Sequence, residues 1–124
     1  MGAQENKQAA EAAYRAFGNG DAAGAMENMD DSCVWEATGN SALSGTYSGK
    51  QEIGELWGQL AGKGFSSSPH DFVADGDKVV VLTTVAIEGD EQENADVLTF
   101  NGEGKLVHFT SIGDPAMAER VFPK

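Results

Sequence analysis

Apolar positions along the chain change period twice, and the changes mark out its elements. Over 5–18, Ala10, Ala13, Tyr14 and Phe17 recur at helical spacing and form one stripe, which Gly18-Asn19-Gly20 ends with residues that tolerate the left-handed region. Asp21 is placed to cap a short second helix reaching about Asn28, against the weakening effect of Gly24. Asp30-Asp31-Ser32 punctuates the chain before a short strand, Cys33 to Ala37, and 38–48 reads as loop. Ser48 and Gln51 have the spacing of a capping box, which opens a helix whose apolar face is Ile53, Leu56, Trp57 and Leu60 and which Gly62 and Gly64 stop.

From there the pattern turns to strands. They are expected over about 67–74, 78–87, 94–101 and 105–112, separated by Asp75-Gly76, an acidic turn over 88–93, and Asn101-Gly102-Glu103-Gly104. The strand over 78–87 is apolar at successive positions, which predicts a central strand covered on both faces. Asp114-Pro115 suits the start of a short terminal helix to about Val121. Helix, helix, strand, helix and an antiparallel meander make an α+β domain over 1–124, a curved, mostly antiparallel sheet wrapped by helices around an apolar pocket.

One residue breaks the pattern. On period-two alternation Asp96 shares a face with Leu98 and Phe100. A carboxyl there is desolvated, which raises its pKa unless a partner compensates, and a neutral acid can donate to a developing oxyanion. The bland alternative is an Asp near a strand end that reaches water or a backbone N–H.

Composition narrows the partners. The 124 residues carry a net charge of −12 with eight Lys and Arg together, so no basic stripe exists for nucleic acid or an anionic membrane. The charge favours a neutral or weakly charged ligand, and with the apolar pocket the expected partner is a small hydrophobic molecule. Cys33 is the one cysteine, so no intrachain disulfide forms, and it reads as an inert buried thiol. The polar start Met1-Gly2-Ala3-Gln4-Glu5-Asn6 has no apolar signal core, and the expected location is cytoplasmic. No metal or cofactor motif is present: there is no His-x-His, and Asp75-Gly76-Asp77 reads as a hairpin turn.

Three stretches carry a family likeness: Tyr14-Arg15-Ala16-Phe17 with Gly20-Asp21; Val34 to Gly39 with Leu43-Ser44-Gly45-Thr46 and the Ile53–Trp57 helix; and Ala95 to Val107. In order and spacing they resemble the NTF2-like superfamily, especially its ketosteroid isomerase and SnoaL-like branches. The resemblance implies the cone fold, a homodimer paired through the sheet face, and three site residues. Glu36 falls at the carboxylate base and Asp96 at the oxyanion-hole acid. Tyr14 falls one residue from the oxyanion-hole Tyr. Two departures stand out: the base is Glu rather than Asp, and the shift of Tyr14 turns its side chain by roughly 100° on the helix.

Residue by residue, bland readings stand beside these. Glu36 is either a general base or an exposed strand carboxylate. Tyr14 is either a core ring whose hydroxyl finds a polar partner, or an oxyanion donor or partner for Asp96. Phe17, Trp35, Trp57, Phe72, Leu98, Phe100 and Phe109 are core or pocket wall. His70 is placed to line the mouth of the cone, and dehydratases of the superfamily keep it in play through their His–Asp use. The expected activity is isomerase-like, a cofactor-free proton transfer on a carbonyl compound. A non-catalytic ligand binder, a dimeric interaction module and a cyclase or dehydratase using Asp96 are the alternatives.

Overall fold

A computed structural model describes residues 2–124 as an α+β cone. Its order is α1 (Ala3–Gly18), α2 (Ala22–Ala25), β1 (Met29–Ala37), β2 (Gly45–Ser48), α3 (Gly49–Ala61), β3 (Ser66–Asp75), β4 (Lys78–Ile87), β5 (Asp90–Phe100), β6 (Leu106–Ile112) and α4 (Ala116–Val121). The six strands form one curved sheet in the order β2-β1-β6-β5-β4-β3. All pairs are antiparallel except β1 with β6.

The local chemistry explains the boundaries. Asp21 Oδ1 accepts the Gly24 N–H at 2.9 Å, as a helix cap should. The helix ends at Ala25, short of Asn28, because Asn28 is committed elsewhere. Its Nδ2 donates to Gly104 O at 2.6 Å, and its carbonyl accepts from Leu106 N at 2.9 Å. That tie starts β1 at Met29, so Asp30-Asp31-Ser32 is an irregularity within the strand rather than a turn before it. Ser48 precedes α3, but its side chain makes no cap bond. Its backbone N–H instead donates to Glu52 Oε1 at 2.8 Å, one residue beyond the expected Gln51.

β4 lies between β5 and β3, and its two faces differ. Val79, Val81, Thr83, Val85 and Ile87 are buried under α1 and α4, whereas Leu82 on the other face is 36 % exposed. The expectation of a strand covered on both faces is therefore corrected: among the described residues no helix lies over the outer face. Val73 (57 %) and Ile112 (59 %) are exposed beside it.

Inside the cone α3 seats Ile53, Leu56 and Trp57 against Met29, Cys33 and Leu43, while Ala10 of α1 meets Val79, Val81 and Phe100. Cys33 has no exposure, and burial pushes its thiol up to about 11. The loop after β1 is tied to α4 and the residue that follows it. Ala42 N donates to Phe122 O at 2.7 Å, and Asn40 N donates to Glu119 Oε2 at 2.8 Å. Gly39 allows a close approach to Pro115, since a Cβ there would stand 2.7 Å from Pro115 Cβ. Among the described residues no helix is long and apolar enough to cross a membrane.

Candidate functional site

A cavity of about 230 Å³ occupies the space between the inner sheet face and the helices. Tyr14 and Phe17 of α1, Trp57 of α3, Trp35 of β1, Leu98 of β5 and Phe109 of β6 border it. Trp35 and Phe109 are register partners in the parallel pair, so their rings stack at 3.5 Å. Trp57 meets Phe17 and Trp35 edge-on, at 5.1 and 5.6 Å.

Asp96 opens onto this apolar space and is itself only 5 % exposed. Tyr14 donates its hydroxyl to Asp96 Oδ2 at 2.5 Å, and Ser111 donates its hydroxyl to Oδ1 at 2.6 Å. The one-residue shift of Tyr14 does not take it out of the site: it is the partner of Asp96. Burial raises the Asp96 pKa, and the two hydroxyls oppose that rise. Burial, then the charge of Asp96, then the shared hydrogen bond hold the Tyr14 phenol well above its usual range. No Lys, Arg or His among the described residues borders the cavity, so no cation compensates the carboxylate.

The wall continues beyond Asp96. Asn94 Nδ2 donates to Ser111 Oγ at 3.0 Å, and Gln92 Nε2 donates to Asn94 Oδ1 at 2.9 Å. Gln92, Asn94 and Asp96 alternate along β5 on its inner face, and Ser111 follows Phe109 by two on β6. Sequence reading missed Gln92, Asn94 and Ser111. The signal was present as polar residues at every second position, but 88–93 was assigned to a turn, while β5 in fact begins at Asp90.

Three expected site residues lie off the cavity, and a fourth borders it with its carboxylate turned away from Asp96. Glu36 is a neighbour of the cavity in sequence and borders it by position, but its carboxylate does not join Asp96. Strand alternation sends it to the face opposite Trp35, where Oε1 lies 3.5 Å from His108 Nε2 and half the side chain is exposed. Glu36 and Asp96 therefore do not present their carboxylates to each other. His70 is also on the outer face: a strand irregularity between Pro69 and Asp71 leaves its Nε2 2.6 Å from Glu93 Oε1. Phe72 meets the Tyr14 ring edge-on at 5.6 Å without bordering the cavity. Phe100 is buried farther along β5, with Ala10 and Val79. Among the described residues no group of three or more His, Cys, Asp or Glu is arranged to hold a metal ion.

A sequence profile of the SnoaL-like domain matches residues 10–109, from the middle of α1 to Phe109 of β6. The chain belongs to the SnoaL-like domain family of the NTF2-like superfamily. Solved structures agree on the fold. Bal32a from a soil-derived mobile gene cassette is 20 % identical, with 98 % of each chain covered and a TM-score of 0.83. An NTF2-like protein of unknown function from Burkholderia pseudomallei is 22 % identical, covering 97 % of this chain and 98 % of that one, with a TM-score of 0.83. TerC, co-crystallized with polyporic acid, is 25 % identical over 94 % of this chain and 96 % of its own, with a TM-score of 0.78. No curated protein matches the chain in sequence.

Proposed function

We propose that this SnoaL-like domain binds a small, uncharged, largely apolar carbonyl or hydroxyaromatic molecule and moves a proton on it, with Asp96 as the acid–base group. The observation that carries the reading is Asp96 itself: a buried carboxyl on an apolar cavity, held at both oxygens by hydroxyls and faced by no cation. Burial raises its proton affinity toward the range in which a carboxylate can take a proton from a weak carbon or phenolic acid and return it. A carboxylate has about four lone-pair sites, so Tyr14 and Ser111 leave room for a ligand proton. When Asp96 accepts that proton its demand for donors falls, and the Tyr14 hydroxyl is freed to turn toward the oxygen on which charge develops.

This differs from the isomerase scheme expected from sequence, in which Glu36 is the base and Asp96 the acid. Here one carboxyl does both jobs, as in the cyclase or dehydratase alternative. The cavity is below the usual range of about 300–1,000 Å³ for ligand sites, which favours one or two rings over four. The likeness to TerC, solved with polyporic acid, supports an organic small molecule as the ligand class. The outer face, with Val73, Leu82 and Ile112 uncovered, is the surface through which a homodimer pairs in this reading. The expected cytoplasmic location remains part of the same proposal.

Solvent deuterium exchange tests proton transfer without knowledge of the natural substrate. Cyclic ketones, enones and phenols are incubated in D₂O with the wild type or Asp96→Asn, and label uptake is followed by NMR. The expected result is exchange at least about 100-fold faster with the wild type for a probe that binds. Equal rates for every probe that shifts cavity resonances would leave a ligand binder and remove the catalytic reading.

A further inference from the structure

A main-chain carbonyl sets the direction of a hydrogen-bond chain that ends on Asp96. Gln92 Nε2 lies 3.0 Å from Asp114 O and 2.9 Å from Asn94 Oδ1. A carbonyl oxygen only accepts, so the Gln92 nitrogen is the donor to Asp114. Its second hydrogen goes to Asn94, whose side-chain oxygen therefore faces Gln92. The Asn94 nitrogen is then left toward Ser111 Oγ, 3.0 Å away. Ser111 accepts there, and its one hydrogen is sent to Asp96 Oδ1 at 2.6 Å. Each link removes the alternative orientation at the next, so amide flips and hydroxyl rotation are decided by geometry alone.

The space for this chain comes from Gly113, where a Cβ would stand 2.0 Å from Asn94 Oδ1. Neither of the other two acids bordering the cavity intrudes on it. Glu36 is turned to His108, and Asp114 Oδ1 accepts the Ala116 N–H at 2.9 Å.

We infer that Gln92, Asn94 and Ser111 are positioning residues that hold Asp96 Oδ1 as a permanent acceptor, so that the site gains and loses its proton at Oδ2, beside Tyr14, and selects ligands that present a proton donor there. A proton on Oδ1 would meet the Ser111 hydrogen head-on. At Oδ2 a proton meets the Tyr14 oxygen, which can accept as well as donate. The ligand chemistry follows: an enolisable C–H, an enol or a phenol is matched to this end, and an anionic carboxylate is not. This rests on the proton-transfer reading of Asp96 for its ligand class, but the direction of the chain does not depend on turnover.

The test is the titration of Asp96 in the full chain, followed through its ¹³C-carboxyl resonance. Donors to a carboxylate favour its charged form, so removing them should raise the titration point. Ser111→Ala is expected to raise it by about one pH unit, a tenfold gain in proton affinity. Asn94→Leu should raise it by less, and Ser111→Thr, which keeps the hydroxyl, should return it to the wild-type position. Folded variants in which Asp96 titrates as in the wild type would overturn the inference, because a merely structural role leaves that point unmoved. If Ser111→Ala fails to fold, a neutron structure of the wild type decides. Deuterium on Ser111 Oγ aimed at Asp96 supports the chain, and deuterium aimed at Asn94 overturns it. The two readings fail separately. Loss of titration shifts with Asp96-dependent exchange intact removes only the network, and exchange that survives in Asp96→Asn removes only the chemistry.

Discussion

Replacing Tyr14 with Phe takes away one oxygen and leaves the ring that meets Phe72 edge-on at 5.6 Å. What disappears is the hydroxyl that Asp96 Oδ2 accepts at 2.5 Å. Asp96 is only 5 % exposed, and among the described residues no cation borders the cavity to replace that donor. A hydrogen bond to an ionised group contributes about 1.5–3 kcal/mol. The neutral acid loses only about 0.5–1.5 kcal/mol with the same bond, and one pKa unit corresponds to about 1.36 kcal/mol of the difference, so Asp96 should titrate about one unit higher in the variant. The sign of the pH dependence follows from the raised folded-state pKa. The folded protein keeps this proton where the unfolded chain has released it. The group's contribution to stability is therefore full below the unfolded value of about 3.9 and is lost as pH rises through the folded value. Tyr14→Phe should thus cost about 1.5–3 kcal/mol on the alkaline side of the Asp96 titration, where the carboxylate is ionised and short of a donor. On the acid side, where only a neutral hydrogen bond is lost, the cost should fall to about 0.5–1.5 kcal/mol. Urea denaturation with linear extrapolation across pH 4 to 8 measures both. An equal penalty at the two ends would refute a charge-assisted Tyr14–Asp96 bond.

Other consequences can be checked independently. Glu36→Gln should leave label exchange within about twofold of wild type, because its carboxylate is turned to His108 on the outer face; a loss of about 100-fold would return the base to β1. Gly113→Ala places a methyl 2.0 Å from Asn94 Oδ1 and should destabilise by about 1–3 kcal/mol in urea, whereas an unchanged midpoint would argue against the close approach. Leu82→Lys combined with Ile112→Lys should turn a dimer into a monomer in sedimentation velocity, since both side chains lie on the uncovered face; a dimer that survives would place the interface elsewhere. Because Tyr14 is held well above its usual range, stability should fall as pH rises above about 10, where the unfolded chain gives up this proton first. An ultraviolet titration in which Tyr14 ionises at the ordinary value would contradict its burial.

The helices and strands were legible because each buries one face, and burial on one face writes its period into the sequence. The α1 stripe, the Ile53–Leu56–Trp57 face and three of the four meander strands sit within a residue of where their periods predicted, while β5 begins four residues early. Boundaries shifted where a long-range bond decided them. Asn28, tied to Gly104 and Leu106, ended α2 early and lengthened β1, and no local signal announces a partner 76 residues away. Asp96 was legible as a buried acid on the inner face because a carboxyl on an apolar strand face is an energetic exception. The direction of the Glu36 carboxylate was not legible, because likeness to a family aligns positions to within a residue, and on a strand one residue reverses the face to which a side chain points.

The sequence by itself determined the element types, the cone architecture and the acid that stands out on β5, since hydrophobic period and the cost of burying charge act locally. Only the tertiary structure decided which groups meet that acid. Tyr14 comes from 82 residues away and Ser111 from 15, and the orientation of the whole polar wall depends on the Asp114 carbonyl at its far end. Hydrogen bonds have short range and strict direction, so they exist only once packing has brought the strands and α1 into register.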